Sequence, residues 1–139
     1  MTYLLDTNAC IALINGRPEA VRRRFVRVST AGNVMATSSV VLFELWYGVA
    51  KSQRPNVNAE RVATFLSGPL DVLDFTAEDA EYSGRVRAAL EGLGKPIGAY
   101  DLLIAGQALR NKATLVTANS SEFGRVRGLQ LQDWAAAAR

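Results

Sequence analysis

The sequence predicts one α/β domain over residues 1–139, with a central, mainly parallel sheet of about five strands. Short apolar runs alternate along the chain with longer segments of helical periodicity, a pattern that favours parallel strands covered by helices on both faces. The chain is also long enough to bury one sizeable hydrophobic core. No internal repeat interrupts the alternation, so we expect a single domain.

The strands are predicted from their apolar runs and from the turn residues at their ends. In chain order they are residues 2–5, 33–37, 71–75, 114–117 and 129–131. In parallel sheets, functional side chains collect at the carboxyl ends of the strands. Asp6 and Asn119 each follow a predicted strand at that edge, and we therefore expect the functional site there.

Six helices are predicted from their capping, glycine and proline signals. In chain order the signals are Gly16 after the first helix, Pro18 in the first turn of the second, Ser38 or Ser39 as the cap of the third, Pro55 before the fourth, Thr76 with Asp79 as a capping box for the fifth, and Gly98 at the start of the sixth. The third helix is predicted to carry Glu44 and to extend to about Gln53. The sixth carries Asp101.

Histidine is absent from the chain, and cysteine occurs once, at Cys10. These absences exclude Ser-His-Asp and Cys-His catalysis, and zinc sites rich in histidine or thiolate. A single cysteine is compatible with a reducing cytoplasm and is expected to be a small buried apolar residue. No apolar stretch could span a membrane and no leader precedes the first strand, so we expect a cytoplasmic protein without a membrane partner.

The net charge is +3, and most of the cationic residues are arginines. Arginine binds phosphate in a bidentate fork, which favours a polyanionic partner, whereas GC-rich codon usage explains the same composition equally well. The run Arg22-Arg23-Arg24, with Arg27, is interpreted as a solvated helix face, and phosphate contact is the alternative.

Three acidic side chains, Asp6, Glu44 and Asp101, lie inside runs that are otherwise apolar. Acids are rarely buried without a partner, and no lysine or arginine lies one helical turn away from any of the three. Each has a structural alternative, such as a helix cap for Asp6 or a favourable dipole position for Asp101. Together they are explained most simply by convergence on one cation. A site made of oxygen ligands suits Mg²⁺, with Mn²⁺ as a substitute.

Asn119 and Glu122 are spaced as in a capping box, which alone would explain both residues. In the functional interpretation, one or both are outer members of the metal site. The aromatic residues Trp46, Tyr47 and Trp134 are predicted to lie in the core or an interface rather than to stack on bases.

Four blocks of the sequence resemble, in the right order, those of PIN-domain ribonucleases, and more narrowly those of the VapC toxins of bacterial toxin–antitoxin pairs. They are Leu5-Asp6-Thr7-Asn8, residues 43–48 (FELWYG), residues 99–105 (AYDLLIA) and residues 115–123 (LVTANSSEF). Residues 126–134 also resemble the tail of that family. The likeness therefore spans the chain.

The resemblance implies a PIN-like α/β/α sandwich, a Mg²⁺-dependent endoribonuclease acting on RNA such as the anticodon loop of tRNA, and a homodimer. It also implies a VapB-type antitoxin as the partner. The antitoxin is expected to bind the toxin in a larger complex, and the toxin is expected to contact DNA only through the antitoxin.

Carried over by position, the family's acids fall on Asp6, Glu44, Asp101 and the segment of Asn119 and Glu122. Many PIN nucleases have an aspartate where Asn119 stands, but VapC relatives often have asparagine and rely on the glutamate three residues later. Glu122 is therefore the fourth catalytic acid of the prediction.

Within this prediction Asp6, Asp101 and Glu44 hold the ion. Asn119, Thr7 and Asn8 lie in its outer surroundings.

Two alternatives come from other functional classes. A catalytically inactive module would bind nucleic acid or dock an antitoxin without cleaving RNA. A phospho-acceptor receiver domain also places acids at strand ends, but it needs an acidic pair after the first strand. Here Thr7 follows Asp6, and Asp101 lies on a helix.

Overall fold

The computed structural model describes residues 1–136, which form seven helices around one five-stranded sheet. The elements are β1 (Thr2–Leu5), α1 (Thr7–Asn15), α2 (Glu19–Thr30), β2 (Val34–Ser38), α3 (Ser39–Ala50), α4 (Pro55–Leu66), β3 (Asp71–Leu73), α5 (Ala77–Gly92), α6 (Ala99–Arg110), β4 (Thr114–Val116), α7 (Ser120–Phe123) and β5 (Gln130–Gln132). The strand order is β3-β2-β1-β4-β5, and every pair is parallel. The predicted α/β class and its parallel sheet are confirmed.

The hydrophobic core is built on the central strands. Leu4 and Leu5 of β1 and Leu115 and Val116 of β4 are almost completely buried. Each such side chain contributes about 1.5–3 kcal/mol to folding relative to an exposed position. The ends of β1 and β4 are therefore held firmly side by side, with Leu5 opposite Val116.

Several helix boundaries follow the local signals in the sequence. The Ser38 side chain accepts a 3.0 Å hydrogen bond from Val40 N–H at the start of α3. Thr76 and Asp79 form a reciprocal capping box at the start of α5. Gly16 ends α1 in the left-handed conformation that favours glycine, with φ 71°. These predictions are confirmed.

The prediction that β3 extends to residue 75 is wrong, because the strand ends at Leu73. The side chain of Gln107 on α6 donates 3.2 Å hydrogen bonds to the carbonyls of Leu73 and Asp74, and Phe75 N–H donates to Ser39 Oγ. These side-chain bonds replace the strand ladder beyond residue 73.

Three other strands differ from the prediction by one residue at one end or both: β2 and β5 each start and end one residue later, and β4 ends one residue earlier. Strand β2 starts after Asn33, whose side chain instead donates to the carbonyl of Val28 at the end of α2. Strand β4 ends at Val116, before the predicted Thr117. Strand β5 starts after Leu129, because Leu129 N–H bonds the carbonyl of Val126 in a turn.

Two helix ends also differ. Helix α3 stops at Ala50 rather than near Gln53. Just after the helix end, the Ser52 hydroxyl donates a hydrogen bond to the carbonyl of Val49. Pro18 occupies the capping position before α2, one residue outside the helix. The side-chain bond after α3 is a feature that hydrophobic periodicity does not reveal.

The aromatic residues divide between the core and the surface. Trp134 is buried and packs on Tyr3, with ring centroids 5.8 Å apart. On α3, Tyr47 is 60% exposed and Trp46 39% exposed, so a core position is wrong for these two. Their place in an interface stays a prediction. Within residues 1–136, no helix has both the length and the apolar character that crossing a membrane requires.

Candidate active site

The strand order places a topological switch point between β1 and β4. The chain leaves β1 toward β2 on one side and leaves β4 toward β5 on the other, which opens a crevice above the carboxyl ends of the two strands. Asp6 stands directly after β1, and its N–H donates a 3.1 Å hydrogen bond to the carbonyl of Val116 at the end of β4. The first predicted site residue therefore lies in the crevice.

Asp6 is buried, with 5% of its surface exposed, and it caps α1 by accepting a 2.8 Å hydrogen bond from Ala9 N–H. Desolvation raises the pKa of Asp6, hydrogen bonds from the Thr117 side chain and Ala9 N–H lower it, and the charges of Glu44 and Asp133 raise it further. Asp6 can therefore cap the helix and still take part in a functional site. One carboxylate oxygen bonds Ala9 N–H, while the charges of Glu44 and Asp133 act on the whole group.

Glu44 lies in the middle of α3 and is only half-buried. Its Oε1 accepts a 2.6 Å hydrogen bond from the Thr7 hydroxyl, in the first turn of α1. The apolar run around Glu44 is not all core, since Phe43 is 56% exposed. Thr7, predicted to lie in the outer surroundings of the ion, thus orients one of the acids that are predicted to bind it.

Asp101 lies in the first turn of α6 and is also half-buried. Its pKa is raised to about 6, first by desolvation and then by the negative charges of Glu122, Asp6 and Glu44. The structure thus brings all four predicted acids into one electrostatic neighbourhood. This mutual repulsion is the property that a bound cation would relieve.

Glu122 and Asn119 are joined directly, because the Asn119 side-chain amide donates a 2.6 Å hydrogen bond to Glu122 Oε2. Asn119 stands at the capping position of α7 but its side chain forms no cap bond, so the capping-box explanation is wrong. The amide instead holds Glu122 where its negative charge raises the pKa of Asp101. Asn8 is exposed in the first turn of α1.

Two polar residues at this edge were not singled out as site residues from the sequence. Thr117 is buried, its side chain lowers the pKa of Asp6, and its hydroxyl oxygen accepts a 2.9 Å hydrogen bond from Asn119 N–H. Asp133 is half-buried and adds its negative charge near Asp6. Thr117 directly follows β4, and Asp133 directly follows β5. A polar residue directly after a strand is the sequence signal that could have identified them as site residues.

As the side chains stand, no three acidic or thiol groups within residues 1–136 lie close enough together to hold a metal ion. Two of the carboxylates are held by other partners, Glu44 by Thr7 and Glu122 by Asn119. The donor set nevertheless consists only of carboxylate, hydroxyl and amide oxygens, which suits a hard divalent cation. The metal ligands stay a prediction.

Comparison with known proteins decides the family. The model of the PIN domain matches residues 3–129. A relative from Shigella flexneri, named tRNA(fMet)-specific endonuclease VapC, is 42% identical over 134 residues, which cover 96% of this chain and 98% of the relative. The chain belongs to the VapC ribonucleases of the PIN-domain family. The ribonuclease class inferred from the sequence is thereby confirmed.

Solved VapC structures share the whole fold. The complex named VapBC2 from Rickettsia felis, bound to a promoter DNA fragment, contains a chain with a TM-score of 0.88 and 41% identity, covering 95% of this chain and 98% of that one. DNA-bound VapBC from Salmonella typhimurium gives a TM-score of 0.88 and 40% identity, with 96% and 98% covered. The PIN-like α/β/α sandwich predicted for this VapC is confirmed.

Proposed function

We propose that this VapC protein is the toxin of a toxin–antitoxin pair and hydrolyses phosphodiester bonds in RNA at the crevice between β1 and β4. The observation that carries the proposal is the shared electrostatic neighbourhood of Asp6, Glu44, Asp101 and Glu122, seen in the raised pKa of Asp101. Because the chain has no histidine, carboxylates are the groups that would act in acid–base catalysis and bind the metal.

In this proposal Asp6 and Asp101 bind Mg²⁺, or Mn²⁺ in its place, and Glu44 completes the ligand set or orients the attacking water. When bound, the cation supplies positive charge at the scissile phosphate and makes water more acidic. Glu122 is the fourth acid.

Hydrogen bonds to neighbouring residues orient these acids. The Thr7 hydroxyl orients Glu44, the Asn119 amide orients Glu122 and Ala9 N–H orients Asp6. Asn8 contributes from the rim of the crevice.

The proposed substrate is tRNA, with the anticodon loop of the initiator tRNA as the first candidate. The support is the 42% identity to the relative named tRNA(fMet)-specific endonuclease. A loop presents unpaired nucleotides whose backbone can enter an open crevice, whereas an A-form stem cannot splay its strand in that way. A protein that acts on tRNA is expected to work in the cytoplasm.

The proposed partner is a VapB-type antitoxin, because two similar solved structures, from Rickettsia felis and Salmonella typhimurium, are VapBC complexes. We further propose a homodimer that assembles into a larger complex with the antitoxin and contacts DNA only through it. The exposed aromatic side chains of α3, among them Phe43 and Tyr47, are consistent with a surface that a protein covers.

The direct test is cleavage of purified initiator tRNA by purified protein, with the new 5′ ends located by sequencing. We expect cleavage in Mg²⁺ or Mn²⁺, none in EDTA, and none with the antitoxin in excess. RNA binding without cleavage in any divalent metal would identify the inactive module instead. Labelling by acetyl phosphate would identify a receiver domain.

In cells, induced expression should arrest growth, and co-expression of the adjacent antitoxin gene should reverse the arrest. Normal growth at confirmed soluble expression, with intact tRNA and ribosomal RNA, would contradict the toxin assignment.

A further inference from the structure

Helix α2 has one face fixed against the sheet. Val21 and Val28 are buried, and Arg24 is half-buried with its Nη2 donating a 3.3 Å hydrogen bond to Gln132 Oε1 on β5. Arg24 therefore anchors the helix, and the orientation of α2 is determined by both apolar and polar contacts. The solvated-face interpretation of the basic run is wrong for this one residue.

The opposite face of α2 is strongly basic. Arg22, Arg23 and Arg27 are exposed, and with Arg17 they line a shallow depression of about 610 Å³. We call these four residues, of which Arg17 lies just before the helix, the α2 arginine face. Glu19 is the one acid of the helix, and it pairs with Arg23 at 3.5 Å. Within residues 1–136, neither Arg22 nor Arg27 forms an ion pair with an acidic side chain.

This face adjoins the candidate active site. A second depression, of about 230 Å³, lies between the starts of α1 and α2 and the ends of β4 and β5, where Asn8, Thr117 and Asp133 line it. Ala9 and Val116 also line this depression, and both hydrogen-bond directly to Asp6, which ties the depression to the site. Arg17 lines both depressions. The depression beside Asp6 therefore meets the α2 arginine face at Arg17.

The charges of the crevice and of the α2 arginine face are opposite in sign. The carboxylates in the crevice repel phosphate, so a polyanion must be held by positive charge outside the crevice if its backbone is to stay near them. Guanidinium groups bind phosphate oxygens through paired N–H donors and remain charged at any physiological pH. The α2 arginine face supplies four of them.

The chemistry of the surface favours RNA over a protein partner. Besides the arginines, the depression is lined by Gly16, Glu19 and Val26, so Val26 is its one large apolar side chain. A docked peptide helix needs a row of apolar pockets, which this surface does not offer. Phosphate contacts need only positive charge and donors.

We propose that the α2 arginine face binds the RNA backbone outside the cleaved bond and so determines the affinity for long, structured substrates. This inference rests on the proposed ribonuclease function and adds to it the second contact surface of the substrate. Because the bound phosphates lie away from the reacting one, the face acts on substrate capture and not on the chemical step.

The test compares Arg22→Gln/Arg27→Gln with a control that removes two arginines from α5, Arg85→Gln/Arg87→Gln. All four side chains are exposed, so both variants should fold, and thermal melting checks this. The probe is fluorescein-labelled initiator tRNA, titrated in EDTA at several salt concentrations. We expect the α2 variant to bind several-fold more weakly and its log Kd against log salt to be less steep by about one per arginine that contacts phosphate. The control should keep the wild-type slope.

Kinetics in Mg²⁺ give an independent measure. The α2 variant should raise KM for tRNA and leave kcat nearly unchanged, whereas the effect on KM should vanish for a short single-stranded oligonucleotide that does not reach α2. Equal losses in both variants, or an unchanged Kd and slope in the α2 variant, would overturn the proposal. So would weaker antitoxin binding with normal tRNA binding, which would assign the face to the antitoxin.

Binding in EDTA does not depend on catalysis, so the two proposals fail separately. A wild-type protein that binds tRNA through α2 but never cleaves it would contradict the ribonuclease proposal alone. A protein that cleaves tRNA without any dependence on α2 would contradict the present inference alone.

Discussion

The Thr7 hydroxyl donates a 2.6 Å hydrogen bond to Oε1 of Glu44, although the two residues are 37 positions apart in the chain. The bond joins the first turn of α1, which follows Asp6, to the middle of α3. The bond therefore links the orientation of Glu44 to α1, the helix that Asp6 caps. A hydrogen bond to a charged group contributes about 1.5–3 kcal/mol, enough to hold a single side-chain orientation.

Replacing Thr7 with Val should lower kcat for tRNA cleavage about tenfold or more, with a smaller change in KM, because Glu44 loses its orienting donor. Thr7→Ser keeps the hydroxyl and should restore most of the rate. Single-turnover cleavage of tRNA by the three proteins measures the effect. A Val variant with the wild-type kcat would show that Thr7 is only structural.

Replacing Asp101 with Asn should leave the metal-free protein as stable as the wild type or more stable. The reason is that Asn removes one charge from a partly desolvated group of acids. The same variant should lose cleavage and the stabilisation that Mg²⁺ confers by mass action. Melting curves across a Mg²⁺ titration measure both effects. Unchanged cleavage together with unchanged Mg²⁺ stabilisation would remove Asp101 from the site.

Asp6→Asn should behave in the same way, since asparagine also caps helices, and Glu44→Gln should show a smaller metal effect. Asp6→Ala is the contrasting variant. It additionally loses the bond to Ala9 N–H and should cost about 1 kcal/mol of stability. Chemical denaturation of the metal-free proteins separates the cap from the charge.

The contribution of Asp101 to the stability of the metal-free protein should fall as the pH rises from about 4 to about 6. The pKa of Asp101 is about 6 in the folded chain and near 3.8 when unfolded, so the unfolded state releases its proton first. Destabilisation by this group is therefore absent below pH 3.8 and complete above pH 6. The difference in Tm between wild type and Asp101→Asn should grow across this window and shrink when Mg²⁺ is added. A constant difference would contradict the raised pKa.

Glu122→Gln should reduce cleavage more than Asn119→Ala does. The carboxylate is the proposed fourth acid, and Asn119 acts on it through the 2.6 Å hydrogen bond from its amide. Asn119→Ala should therefore lower kcat moderately and leave Mg²⁺ affinity nearly unchanged. Cleavage assays at graded Mg²⁺ concentrations measure both. A larger loss from Asn119→Ala would exchange the two roles.

Gly106→Ala should destabilise the protein by about 1–3 kcal/mol, because α5 and α6 approach each other closely at this residue. A Cβ atom there would lie 2.0 Å from Ser83 Oγ and 2.5 Å from Ser83 N. Gly84→Ala is the matched control on α5, since no atom lies within 4 Å of its added Cβ. It should stabilise the helix by about 0.5–1 kcal/mol. Urea denaturation of both variants tests the contrast.

The sequence alone determined the features that depend on near neighbours in the chain. The capping box of Thr76 and Asp79, the cap at Ser38 and the alternation of strands and helices are all encoded within a few residues. The three acids inside apolar runs could also be recognised as unusual, because the absence of a cation one turn away is a local property.

The tertiary structure decided how those acids are held. Asp6 is buried while Glu44 and Asp101 are half-exposed, and the Thr7–Glu44 bond spans 37 residues. The end of β3 depends in the same way on Gln107, more than 30 residues further along the chain. Periodicity indicates which face of a helix or strand is apolar. The burial of a side chain and its hydrogen-bond partners depend on which other element covers that face. Only the packed sheet brings those elements together.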